Sequence, residues 1–99
     1  MTRVTNIYKK DYSEIKNIQH QSNIYYNLIK TMSDTLTCYG IEIILKNNST
    51  NLETANFEGI SESKTFVLDI IKFLYENSIK PDSSLYIISD LISAREYDI

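Results

Sequence analysis

The chain has 99 residues, 42% of them hydrophobic and 23% charged, with a net charge of −3, one cysteine and two glycines. That composition suits a single folded domain with no room for a second, and it excludes extended disorder, an internal disulfide and a glycine-rich phosphate cradle. No apolar run nears the ~20 residues that a bilayer-spanning helix needs.

The charge is unevenly spread. Residues 1–23 carry four cations and two anions, whereas residues 24–99 carry six cations and eleven anions. An acidic body is repelled by phosphate backbones and anionic lipid, so neither nucleic acid nor a membrane is expected as partner. Cys38 stands alone and the start MTRVTNIYKK lacks the apolar core of a secretory signal, which together predict a cytoplasmic protein. Asn47 and Asn48 each open an Asn-X-Ser/Thr pattern, which has no chemistry behind it without secretion.

Taken in order, residues 1–23 are polar, with Ile7, Tyr8, Tyr12, Ile15 and Ile18 scattered among Lys, Asn and Gln. They read as a flexible or loosely docked, mildly basic arm ahead of a domain at 24–99, with a short helix over Asp11–Gln21 as the alternative. From residue 24 the pattern turns to strands. Ile24, Tyr26 and Leu28 alternate with Tyr25, Asn27 and Ile29, predicting a strand over 24–31 with apolar groups on both faces. Thr31-Met32-Ser33-Asp34 supplies turn formers. A second strand over 35–46 places Thr37, Tyr39, Ile41, Ile43 and Leu45 toward the core, and mid-strand Gly40 marks a bulge or the close approach of another group. A polar hairpin loop over 47–53 leads to a short third strand, 54–59, with Ala55 and Phe57 on one face.

The strongest periodicity follows. Val67, Ile70, Ile71 and Leu74 recur at helical spacing, flanked by Phe66 and Phe73, and predict an amphipathic helix over 62–77 capped by Ser61. Pro81 separates it from a second helix over 83–96, capped by Asp82 and with Leu85, Ile88, Leu91 and Ile92 as its inner stripe. The expected fold is thus α+β: a three-stranded antiparallel meander followed by two packed helices, with the N-terminal arm outside it.

Chemistry is sparse. His20 and Cys38 are the only soft or imidazole ligands and fall in different elements, so no metal site is expected. Cys38 has no neighbour that stabilises a thiolate and reads as a small buried hydrophobe. Glu42 and Glu58, on strands expected to pair, are in principle candidates for acid/base chemistry, but both read as lying on a solvated face; Asp69, Glu76 and Asp90 lie on the wet sides of helices. The connection SIKPD between the helices raises a helix-turn-helix, but the following segment offers a single cation, Arg95, among several acids. No catalytic residue and no cofactor is assigned, and we read the chain as non-enzymatic.

The eight tyrosines are the more informative class, because tyrosine combines large apolar area with a polar tip and is favoured at interfaces. Tyr25, Tyr26 and Tyr86 are the candidate interface residues. A strand that is apolar on both faces, at the edge of a three-stranded sheet, invites a second copy, so a homodimer through 24–31 with Tyr25 or Tyr26 near its centre is expected.

The run Tyr39-Gly40-Ile41-Glu42-Ile43, then Ile60-Ser61, then Val67, Ile70-Ile71, Leu74, Glu76-Asn77, Ile79, Pro81, Leu85, Ile87-Ile88 and Asp90 resembles a family of short Firmicutes proteins classed as domain of unknown function 6514. The resemblance covers about Ile24 to Ile92 and leaves the polar N-terminal segment outside. It implies a cytoplasmic bacterial protein of about this size and brings no activity or ligand residues with it. The function expected is that of a small interaction or regulatory protein with a protein partner; a ligand-binding or enzymatic domain with an unrecognised pocket is the alternative, and a nucleic-acid-binding regulator the third.

Overall fold

The computed structural model describes residues 1–13, 16, 21–47 and 50–97. Four strands, β1 (Thr2–Tyr12), β2 (Ser22–Met32), β3 (Thr37–Asn47) and β4 (Thr50–Ser61), are followed by two helices, α1 (Lys64–Glu76) and α2 (Pro81–Tyr97). The strands form one antiparallel meander in the order β1-β2-β3-β4, and both helices pack on the same face of it.

The α+β class stands, but the three-stranded sheet does not. The segment expected to be a loose arm supplies a fourth strand, β1, paired with β2 from Thr2↔Thr31 to Tyr12↔Ser22. Its alternation is hidden in the sequence because the register shifts between Asn6 and Tyr8. That extra residue moves the inward set from one parity to the other, and an edge strand needs few apolar groups. The helix weighed over Asp11–Gln21 falls mostly on residues outside the described ones. Strand β2 is therefore central rather than an edge: β1 and β3 occupy its two sides, and no edge of residues 24–31 is left for a second copy.

Strand β4 also exceeds its expected 54–59 span, taking in Thr50–Glu53 that read as loop. Polar side chains on an exposed outer strand mimic loop composition. Gly40 does mark a special place. The register between β3 and β4 breaks between Tyr39 and Ile41, with Gly59 at φ +65° in the extra segment opposite. A Cβ on Gly40 would lie 2.1 Å from the Phe57 carbonyl oxygen. The two glycines of the chain thus serve one irregularity, where β4 crosses close over β3 before turning into α1.

Helix α1 begins two residues later than expected, with Ser63 rather than Ser61 as its cap: the Ser63 hydroxyl accepts from the Phe66 N–H at 3.2 Å, and Ser61 Oγ accepts from the Ser63 N–H at 3.0 Å. Val67, Ile70, Ile71 and Leu74 are buried as the periodicity requires. Together with Ile24, Tyr26, Leu28, Ile41, Ile43 and Ile88 they form the core between α1, α2 and the sheet. The helix closes with Ser78 at φ 53°, the Ile79 N–H reaching the Leu74 carbonyl at 3.0 Å and the Ser78 N–H the Tyr75 carbonyl at 3.2 Å, a left-handed stop that satisfies two free carbonyls.

Helix α2 starts at Pro81 itself, which suits a first helical position because its missing N–H would be unpaired there, so Asp82 sits in the first turn instead of capping it. Of its expected inner stripe Ile88 is buried and Leu91 and Ile92 pack against the core, but in the first turn Ser84 faces inward in place of Leu85. Ser84 is buried with its hydroxyl donating to the Pro81 carbonyl at 2.6 Å, while Leu85 is 54% exposed. At its far end Arg95 lies 3.9 Å over the Phe66 ring, so α2 runs back antiparallel to α1.

Candidate functional site

An 11-residue strand spans ~36 Å and a 13-residue helix ~20 Å, so α1 covers only part of the sheet face it packs on. The far face is left without a helix. Two surfaces result.

The first is the uncovered face. Registers across the strands place Asn6, Asn27, Glu42 and Asn56 in one transverse row. Within it the Asn6 amide donates to Asn27 Oδ1 at 2.8 Å and the Asn27 amide donates to Glu42 Oε1 at 3.0 Å. Asn6 also donates to the Tyr8 carbonyl at 3.0 Å, bracing the bulge in β1. Asn27 is only 7% exposed although no helix lies above it, so its neighbours on the face wall it in. On one side of the row Tyr25 pairs with Ile44, half-buried between two cations: Lys9 lies 5.5 Å and Lys46 5.0 Å from its ring centre. On the other side Ile29 stands between Val4 and Gly40. Lys9 also pairs with Asp11 at 3.4 Å, and Asn23 donates to the Asp11 carboxylate.

The second is a groove of about 370 Å³ on the helix side, at the end of the sheet that α1 does not reach. Ile24, Leu45 and Leu52 give it apolar walls, and Tyr12, Ser78 and Lys80 stand among its polar lining.

Between these surfaces sits a cluster that holds the layers together. Tyr8 stacks on Tyr75 with ring centres 4.4 Å apart, Tyr26 meets Tyr75 edge-on at 6.0 Å, and the Tyr26 hydroxyl donates to the Ile79 carbonyl at 2.9 Å. Burial, with the nearby Tyr12 and Tyr75, pushes the Tyr26 phenol well above its ordinary value.

The structure does not bring the three candidate tyrosines together. Tyr25 is on the open face, Tyr26 is fully buried on the opposite face of the same strand, and Tyr86 is 74% exposed on α2. Adjacent strand residues must point to opposite sides, so Tyr25 and Tyr26 never share a surface. Glu42 faces Asn56 rather than Glu58. Cys38 is half-buried and unpaired, and His20 lies outside the described residues. Among the described residues there is no cluster of three metal-ligating side chains, and no helix is long and apolar enough to cross a membrane. The amide row has no signature in the sequence, because its members meet only once β1 is paired with β2.

A family model matches residues 4–94, and its description is a family of unknown function. The chain belongs to DUF6514. The match runs from β1 through most of α2, so the N-terminal strand falls inside the region this DUF6514 domain shares with its family, not outside it as the residue resemblance implied. Neither a curated protein nor a solved structure matches the domain.

Proposed function

We propose that this DUF6514 domain is a small non-enzymatic interaction module that presents its uncovered sheet face to a protein partner. The observation that carries this reading is Tyr25, an aromatic ring flanked by Lys9 and Lys46 and adjoining Ile44 on a face that no helix covers. An aromatic anchor with an apolar neighbour inside a polar rim is the arrangement that dominates binding energy at protein interfaces. Lys9 and Lys46 are offset by Asp11 and Glu42 on the same face, a mixed pattern that suits a protein surface better than a phosphate backbone. The proposed setting is the bacterial cytoplasm, which the lone unpaired Cys38 supports.

The test is site-specific photocrosslinking in the native host from Thr54, beside Ile44 on the open face, and from Lys72, exposed on α1. A discrete adduct from Thr54, absent from Lys72 and lost on Tyr25→Ala, is expected. Adducts that form equally from both positions, or that survive Tyr25→Ala, would remove the open face from consideration.

The helix-side groove favours a second reading, a site for a small amphipathic anion, because Ile24, Leu45 and Leu52 offer apolar contact beside the Lys80 ammonium. Octanoate is a suitable probe. Chemical-shift changes confined to these residues and removed by Leu52→Glu would support it, and a flat titration would dismiss it.

A further inference from the structure

The two outer strands of the sheet carry opposite charge. Strand β1 bears Arg3, Lys9 and Lys10 against Asp11, a net +2, while β4 bears Glu53 and Glu58 and no cation, a net −2. The outer side of each strand presents the N–H and C=O groups that its single neighbour does not take, which makes it a template for another strand. Setting β1 against β1 opposes cations, and setting β4 against β4 opposes anions. Only β1 against β4 brings unlike charges together.

Strand direction and register agree with that pairing. In an antiparallel meander of four strands β1 and β4 run in opposite directions, so a copy placed beside β4 in the same orientation continues the antiparallel ladder. The register aligns Lys10, Ile24, Leu45 and Glu53 in one row and, three residues farther along β2, Asn6, Asn27, Glu42 and Asn56 in another. A copy added along these rows brings the backbone of Lys10, whose ammonium is held by the Tyr75 carbonyl and Ser78, beside Glu53, sets Lys9 beside Thr54, and carries the Asn6–Asn27–Glu42 hydrogen-bonded row onward through Asn56. The edge is accessible, since every side chain from Thr50 to Thr54 is exposed.

We propose that the protein self-associates head to tail, the β1 edge of one copy pairing with the β4 edge of the next. The contact is heterologous, so it does not close as a two-fold dimer, and mass grows with concentration. Pairing through one strand edge buries little area, which makes the association weak, reversible and sensitive to salt. The open sheet face stays free in such an assembly, so this contact is independent of the partner surface proposed above.

The experiment is sedimentation equilibrium of the full chain over a concentration series at low ionic strength and at about 1 M salt, where the Debye length falls to about 3 Å. The parent is expected to exceed twice the monomer mass at low salt and to return to monomer at high salt. Arg3→Glu/Lys9→Glu and Glu53→Lys/Glu58→Lys are each expected to remain monomeric alone and to associate when mixed, because their altered edges are complementary. Circular dichroism melts of both variants check that they fold; if either does not, the salt series of the unaltered chain decides. A parent that stays monomeric at low salt, an association that stops at a dimer, growth that salt does not reverse, or two folded variants that fail to combine would each overturn the proposal.

Discussion

The Lys10 ammonium donates to the Tyr75 carbonyl at 2.5 Å and sits 4.7 Å from the centre of the Tyr75 ring, so one side chain of the first strand caps the end of the first helix. Its third contact, Ser78 Oγ at 2.7 Å, holds the left-handed residue that stops that helix. A cation at a helix C-terminus meets both the unpaired carbonyls and the negative end of the dipole. Together with Tyr8 stacked on Tyr75, this fastens β1 to the helix layer.

Lys10→Met keeps the aliphatic stem and removes the charge-assisted bonds, so it is expected to lower unfolding free energy by about 1–2 kcal/mol. Urea denaturation gives the value directly. Unchanged stability would mean that solvent satisfies the Tyr75 carbonyl equally well.

Gly40→Ala forces a methyl group to within 2.1 Å of the Phe57 carbonyl oxygen and 2.9 Å of Glu58 Cα, both backbone atoms that cannot swing away. Its expected loss is at least about 1–3 kcal/mol, in the range of overpacked sites. Gly59→Ala meets open space and bears only the penalty of a side chain at φ +65°, about 1 kcal/mol. The order of the two denaturation midpoints is the check; Gly59→Ala falling below Gly40→Ala would contradict the close crossing of β4 over β3.

Tyr26→Phe removes the hydroxyl that donates to the Ile79 carbonyl, an expected loss of about 1 kcal/mol at neutral pH. The phenol is held neutral chiefly by burial, so its folded pKa lies above the unfolded value of 10.0. A raised pKa makes the unfolded state lose its proton first; the associated stability is complete below about pH 10 and declines as pH rises toward the folded value. Phenylalanine cannot ionise. The gap in melting temperature between parent and Tyr26→Phe should therefore narrow above about pH 10, and a gap that stays constant there would show Tyr26 to be solvated in the folded chain.

Much of the helix layer and the central sheet was legible in the residues alone. Val67, Ile70, Ile71 and Leu74 declared a buried helix face because a period of 3.6 requires only local order, and alternation likewise identified Ile41 and Ile43 as inward-facing. Gly40 announced a special backbone position, since a residue without Cβ inside a strand needs a reason. Strand β1 could not be read this way. Its bulge at Asn6–Tyr8 breaks the period, and its pairing partners lie well along the chain, from Tyr12↔Ser22 to Thr2↔Thr31. Only the tertiary structure turned β2 from an edge into a centre, buried Tyr26 while leaving Tyr25 on the open face, and assembled Asn6, Asn27 and Glu42 into a row. Register, unlike period, is a relation between distant strands, and a shift of one residue would send every one of these side chains to the opposite face.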